Sequence, residues 1–164
     1  MTKGSGAKRR AVPPGSVGRG EFVVYPGVPS GIYDLLERLS AVAGDSPDLG
    51  TPGISLDRTR LTVRWFGEVP AAVRAVLADH PGVDVAVRAT DFRPGDLRAE
   101  AERLVREHGE AVAAATARPE GDGIEVLVPP RLAEAAGGAA QALAAAGVSS
   151  AVPLFVEVGE APTS

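Results

Sequence analysis

From residue 59 to residue 158 the chain alternates between strand-like and helix-like hydrophobic patterns, and this order constrains the fold more than any other feature. Apolar residues occupy every second position over 61–66, 83–90 and 124–128, which is typical of strands with one buried face. Between these stretches the apolar spacing is three or four residues, as in helices packed on a sheet. The order reads β-α-β-α-β-β-α-β and predicts an α+β fold.

Proline and glycine mark the ends of these elements. Pro70, Pro94 and Pro130 begin three helices, because proline is well tolerated in the first helical turn. The stretch 120–123 predicts a hairpin turn. The pair Gly137-Gly138 lies inside the last helical pattern and costs roughly 1 kcal/mol per glycine relative to alanine. That helix therefore either approaches a sheet closely or breaks at the glycines.

The last six elements, over residues 83–158, match the β-α-β-β-α-β order of ferredoxin-like folds. Pro153 restricts the final strand to a sheet edge or to its own first residues, because proline cannot donate to a ladder. We expect a two-layer α+β sandwich with helices on one face of a mixed sheet. A helix–loop–strand pattern also recurs at 70–90, 95–118 and 130–158, which suggests a weak internal repeat.

Two more elements precede this region. Residues 21–25 form a short apolar run that predicts an edge strand or a docking segment, and helical spacing after Ser30 predicts a helix over 31–43. Residues 44–53 hold three glycines and two prolines and predict a loop or linker. The expected organisation is a disordered basic arm (1–20), a helix-containing segment with its linker (21–53), an α/β domain (54–159) and a tail (160–164).

The charge is distributed unevenly along the 164 residues. The net charge of −4 combines an arm with five bases and no acid and a remainder that holds all 21 acids. The bases of the arm are candidate nucleic-acid contacts: Lys3, Lys8, Arg9, Arg10 and Arg19. No apolar stretch of signal-peptide or membrane-span length occurs, so we expect a cytoplasmic protein without a membrane partner. The preference for Arg over Lys and the lack of Asn indicate GC-rich coding, as in high-GC bacteria.

The residues that catalysis uses most often are scarce. The chain has no cysteine, which excludes a disulfide framework, a cysteine-based zinc site and a thiol nucleophile. His80 and His108 both fall at predicted helix C-termini, where an imidazolium is favoured by typically 0.3–1 kcal/mol. No Gly-x-Ser-x-Gly or phosphate-loop motif is present. We therefore expect no enzyme activity, catalytic residue, metal or cofactor, with a hydrolase using the histidines as an alternative.

The remaining hypothesis is a non-catalytic interaction or assembly module. It would bind a protein partner or a second copy of itself through residues 21–43 or through a sheet edge. The alternation in 61–66 directs one of the two adjacent aromatic residues away from the core, which makes that pair a further candidate contact. The candidate partner-binding residues are Phe22, Val24, Tyr25, Leu35, Leu39, Trp65 and Phe66. Nucleic-acid binding through the arm is the alternative.

The stretch Leu-Thr-Val-Arg-Trp-Phe-Gly-Glu-Val-Pro-Ala-Ala-Val-Arg-Ala-Val-Leu over 61–77 carries a family resemblance. With its continuation it resembles the β-α-β units in the pro-regions of streptogrisin and alpha-lytic type serine proteases. Related proteins of high-GC bacteria are built from the same units, and the similarity covers about residues 54–158. In those proteases the pro-region assists folding of the protease domain and then inhibits it. The resemblance implies an α/β module that acts through its sheet and edges.

Overall fold

The structure, a computed structural model, describes residues 31–163 and the backbone of residues 17–19 and 22–24. The described part is an α+β protein with five helices and two three-stranded mixed sheets, besides a short strand pair. The helices are α1 (Gly31–Ala43), α2 (Ala71–Ala78), α3 (Pro94–His108), α4 (Pro130–Ala136) and α5 (Ala139–Ala145). The strands are β1 (Val17–Arg19), β2 (Phe22–Val24), β3 (Gly53–Ile54), β4 (Arg60–Trp65), β5 (Asp84–Ala89), β6 (Ala114–Ala117), β7 (Ile124–Val128) and β8 (Leu154–Val158).

The first half of the body, residues 31–89, folds around the sheet β3-β4-β5. Strand β4 pairs antiparallel with β3 and parallel with β5, and α2 provides the crossover between the two parallel strands. Leu61, Val63 and Trp65 alternate along β4 and are buried against helices α1 and α2. The predicted strand and helices of this half are thus confirmed.

The second half, residues 94–158, folds around the sheet β6-β7-β8 in the same way. Strand β7 pairs antiparallel with β6 and parallel with β8. Ile124, Val126 and Val128 are fully buried on one face of β7, against α3, α4 and α5. Among the described strands β8 pairs with β7 alone, so the edge position predicted from Pro153 is confirmed there.

The last predicted helix is broken in two at its glycine pair. Gly137 ends α4 in the left-handed conformation with φ 84°, and Gly138 follows with φ 151° before α5 begins. Both values lie where residues with a Cβ are rarely found, so glycine is needed at this corner. Of the two alternatives left open by the sequence, the break is the one observed.

The body is a structural repeat of two α-β-β-α-β units. Each unit has one antiparallel and one parallel strand pair in the same strand order, and in the second unit the crossover helix is divided into α4 and α5. The register aligns the units, since Leu61 faces Val85 in the first and Ile124 faces Leu154 in the second. The repeat is therefore longer than the helix–loop–strand repeat suggested by the sequence.

The expected ferredoxin-like arrangement over 83–158 is not what the strand pairing shows. Strand β5 pairs with β4, and β6, β7 and β8 form the other sheet, so these strands do not share one sheet. The predicted order of helices and strands is the one observed, but this order does not determine which strands pair. A two-residue strand, β3, also completes the first sheet from within the stretch expected to be a linker.

The junction between the halves includes several backbone and polar contacts. The Gly95 amide donates to the Pro47 carbonyl at 2.8 Å, and the Phe92 amide donates to the Gly121 carbonyl at 3.0 Å. Arg93 Nε donates to Asp48 Oδ1 at 2.8 Å. Each hydrophobic core takes its residues from one half alone, so the junction joins two separately packed cores.

The N-terminal region contains a short strand pair and is followed by helix α1. Strands β1 and β2 form an antiparallel pair, and β2 lies in the apolar run predicted as a strand. We expected helix α1 to belong to a segment that precedes the α/β domain. Its residues Ile32, Leu35 and Leu39 pack in the first core together with β4. No helix in the described part of the chain has the length and apolar character needed to cross a bilayer.

Candidate protein-interaction surface

Three of the predicted partner-binding residues are core residues. Leu35, Leu39 and Trp65 are at most 2% exposed and pack within the first half. The expectation that they contact a partner is therefore wrong. An apolar helix stripe looks the same in sequence whether it meets a partner or its own sheet, and here the sheet covers it.

The aromatic pair on β4 divides as the strand alternation predicts. The Trp65 ring is buried and its Nε1 donates to the Glu68 carbonyl at 3.2 Å. Phe66 is half-buried just beyond the strand, with the Arg93 guanidinium 5.4 Å from its ring centroid. Phe66 therefore contributes to the junction between the halves.

The other predicted contacts fall in the N-terminal region. Phe22 and Val24 belong to β2 and Arg19 to β1, for which the backbone alone is described. Tyr25 and the arm residues Lys3, Lys8, Arg9 and Arg10 lie outside the described residues. Their roles stay predictions.

The two histidines lie at or beyond helix ends, as the sequence indicates. His80 follows α2, and its Nδ1 lies 2.8 Å from the Val83 carbonyl oxygen. His108 is the last residue of α3. Among the described residues no group of three or more His, Cys, Asp or Glu side chains is placed to hold a metal ion.

The second sheet carries an exposed aromatic residue that the sequence analysis did not select. Phe155 lies on β8 with 37% of its surface exposed, on the face opposite the buried core. The Arg118 guanidinium lies over its ring, 3.8 Å from the centroid. Such a cation–π contact is worth about 0.5–1 kcal/mol at exposed sites. The ring is therefore held in one orientation on an open sheet face.

The turn between β6 and β7 contacts both members of this stack. Gly123 lies so close to β8 that an added Cβ would come 2.9 Å from Cε2 of Phe155 and would overlap the Pro153 carbonyl. Arg118 Nε donates to Asp122 Oδ1 at 2.8 Å, and this hydrogen bond raises the pKa of Arg118. The guanidinium thus remains charged over the ring at all accessible pH values.

A cluster of polar contacts anchors the loop that leads into β8. Arg103 on α3 donates to both carboxylate oxygens of Glu100 and to the Ser149 carbonyl, at 2.6 to 2.9 Å. The Ser150 hydroxyl donates to the same carboxylate at 2.7 Å. Chiefly through the Arg103 hydrogen bonds, the pKa of Glu100 falls to about 2. This cluster ties the start of the edge strand to α3.

Apart from the ion pairs Arg60–Asp84 and Arg118–Asp122, the outer faces of the two sheets, opposite their cores, carry opposite charge. On the first sheet Arg64 and Arg88 occupy paired positions of β4 and β5, and the Arg64 guanidinium lies beside β3, where it donates to the Thr51 carbonyl at 3.2 Å. On the second sheet the exposed Glu125 and Glu157 flank Phe155 in the β7–β8 register. Among the described residues these four side chains form no ion pair with one another or elsewhere. We call the two surfaces the basic face and the acidic face.

The acidic face was detectable in the sequence. Leu154, Val156 and Val158 alternate with Phe155 and Glu157, so an aromatic and an acidic side chain had to share the opposite face. The alternation predicts the strand, but it does not by itself assign a role to the outer face. The charge difference between the sheets required the strand register, which the sequence does not state.

The fold and surface define an α+β protein with two three-stranded mixed sheets and an exposed, charged outer face on each. Neither a scan against protein-family models nor a search of curated proteins finds a match to this chain.

Proposed function

We propose that this chain is a non-catalytic protein-interaction module and that it binds its partner through the acidic face and the free edge of β8. The observation that carries the proposal is the Phe155–Arg118 stack on an open sheet face. An aromatic side chain held rigidly among charged residues is typical of the residues that dominate binding energies at protein interfaces.

The edge strand supports the same surface. In the described part of the chain β8 pairs with β7 alone, which leaves every second backbone amide and carbonyl along it free to pair with an added strand. Glu157 is exposed and discourages unspecific pairing. A partner with basic and apolar side chains would match both the edge and the face beside it.

The resemblance to protease pro-regions is compatible with this role, because those domains act by binding a protein surface. It remains a proposal, since neither comparison supports it. A ferredoxin-like arrangement is not needed for the proposed function. The surface belongs to the second sheet alone, and its strand pairing differs from that arrangement.

Site-specific photo-crosslinking tests this proposal. A photoreactive phenylalanine analogue replaces Phe155 in the full chain, and adducts formed in the source cells are identified by mass spectrometry. The control carries the analogue at Val105, which is 38% exposed on α3. A second arm carries it at Tyr33 on α1, within the 21–43 segment that was the other candidate surface.

We expect one defined adduct from position 155 and none from position 105. An adduct from position 33 alone would move the binding surface to α1 and contradict the proposal. Equal and unspecific labelling from all three positions would also refute it.

Nucleic-acid binding is the second candidate function, and the basic face supports it. Arg64 and Arg88 both lie on the outer face of the first sheet, in addition to the five bases of the arm. Binding to a duplex oligonucleotide should weaken steeply with salt and should vanish on deletion of residues 2–19. Unchanged binding after that deletion would remove the arm from this role. The hydrolase alternative is tested by replacing His80 and His108 with Gln.

A further inference from the structure

We infer that the partner of the acidic face is the basic face of a second copy of this chain. The inference rests on the proposed function and names its partner. It predicts head-to-tail association, in which the outer face of the second sheet of one molecule packs on the outer face of the first sheet of the next.

The two faces match in charge at equivalent positions of the repeat. Because Leu61 faces Val85 and Ile124 faces Leu154, Arg88 on β5 corresponds to Glu157 on β8. The same position of the same strand is therefore basic in one unit and acidic in the other. Two copies placed face to face bring these unpaired charges into opposition, which steers association and fixes its register.

The two faces also match in shape. The position equivalent to Phe155 is Ala86, and the residue paired with Ala86 across the strands is Thr62. The basic face thus has two small side chains at its centre with arginines beside them, whereas the acidic face has a protruding ring. In the proposed contact the ring, stacked with Arg118, packs over these small residues of the next copy, and the aliphatic part of Arg88 lies beside it.

The like-charge pair on the first sheet has a reason under this inference. Arg64 and Arg88 occupy paired positions on β4 and β5, and among the described residues neither forms an ion pair. Arg60, on the same face, is by contrast paired with Asp84 at 2.8 Å. Because the Arg64 guanidinium donates to the Thr51 carbonyl at 3.2 Å, the exposed Arg88 is the cation of this face that a carboxylate of a second copy would meet.

The size of the faces sets the strength of the association. With three strands of at most six residues, each face covers at most roughly 14 by 20 Å, which is small for a stable interface. We therefore expect a dissociation constant between about 10 μM and 1 mM. The contact is heterologous, so molecules add in chains or rings instead of stopping at a symmetric dimer.

Sedimentation of the purified full chain tests the inference. The average mass should rise with concentration up to about 1 mM and should fall again near 1 M salt, where the Debye length is only about 3 Å. Arg88→Glu and Glu157→Arg should each lower the association constant at least about tenfold, since each places like charges in contact. The double variant restores the opposite charges and should recover association to within about threefold of the original chain.

Arg131→Glu is the matched control for Arg88→Glu. It makes the same change in net charge at an exposed position on α4 that takes part in no ion pair among the described residues. It should leave the association constant within about twofold of the original, because a distant exposed charge contributes little. Circular dichroism and thermal unfolding confirm that every variant is folded before it is compared.

Three results would overturn the inference. A chain that stays monomeric at about 1 mM in low salt would exclude it, as would equal effects of Arg88→Glu and Arg131→Glu. Failure of the double variant to associate when both single variants are folded would also exclude it. If the chain is monomeric but position 155 crosslinks to a different protein in cells, the proposed function stands and the second copy is the wrong partner. Loss of oligonucleotide binding in Arg88→Glu, with a monomeric chain, would assign the basic face to nucleic acid instead.

Discussion

Gly121 holds the junction between the two halves, and replacing it with alanine tests how that junction is built. The residue is buried in the turn after β6, and its φ of 72° lies in the left-handed region that alanine adopts only at a cost of about 1–2 kcal/mol. An added Cβ would overlap Cβ and Cγ2 of Thr90 and would come 3.3 Å from its Cα.

The overlap cannot be relieved easily. Thr90 is 7% exposed, its amide donates to the Trp65 carbonyl at 3.1 Å, and its hydroxyl donates to the Phe92 carbonyl at 2.8 Å. The Phe92 amide in turn donates to the carbonyl of Gly121 itself. Overpacking at a fixed site costs about 1–3 kcal/mol, so Gly121→Ala should lower the free energy of unfolding by about 2–5 kcal/mol in total.

Gly147→Ala is the control. Gly147 has a nearly identical φ of 71°, and a Cβ there would meet no atom within 4 Å. This variant should lose only the conformational part, about 1–2 kcal/mol. Urea unfolding followed by circular dichroism gives both values, and the difference between them measures the overlap with Thr90. Equal losses in the two variants, within about 0.5 kcal/mol, would refute the view that close packing at Thr90 fixes the junction.

Three further expectations concern the edge strand, the two cores and the exposed aromatic residue. Glu100→Gln should destabilise the protein by about 1 kcal/mol at pH 7. This is less than the free energy that the full pKa shift of Glu100 would give, because solvent screens the contact with Arg103. Because the folded pKa of Glu100 lies near 2, below its usual 4.5, this contribution is complete above about pH 4.5 and is lost as the pH falls toward 2. Urea unfolding at pH 7 and pH 2.5 should show a gap between original and variant that closes in acid; a gap that widens would contradict the assignment. Val63→Ala and Val126→Ala remove fully buried side chains from different cores and should each cost about 2 kcal/mol. Since the cores share no residue, the double variant should lose the sum within about 0.5 kcal/mol, and a larger coupling energy would show that the cores are not separate. Phe155→Ala should cost no more than about 1.5 kcal/mol of stability, because the ring is exposed and loses mainly its contact with Arg118; a loss above about 3 kcal/mol in urea unfolding would make it a core residue.

Local patterns predicted the elements of this fold well where the hydrophobic period was clear. Strands β4, β7 and β8 alternate strictly, and helices α1 and α3 show a continuous apolar stripe, so each appears where expected. Strand β3 was missed because two residues, Gly53 and Ile54, are too short to show any period. The break between α4 and α5 depends on backbone angles at glycine, which the composition permits but does not determine.

The pairing of the strands and the candidate surface required information that is not local. The same order of elements suits one sheet or two, and the decision rests on which strand edges meet after the helices have packed. Leu35 and Leu39 read as a docking stripe because the sheet that covers them begins about twenty residues later. Phe155 was not predicted as a contact residue, because the alternation of β8 is the common pattern of a half-buried strand and does not distinguish its outer face.

The separation of the cores also affects how this chain folds as it is synthesised. All residues of the first core lie between Ile32 and Val85, and those of the second lie between Phe92 and Val156. Once the first stretch has left the ribosome, its sheet and both its helices are complete, and no later residue is needed to bury them. Contacts within each stretch are short in sequence, which favours rapid folding. The first half then exposes Arg88 to solvent before the acidic strands of the same molecule have been synthesised.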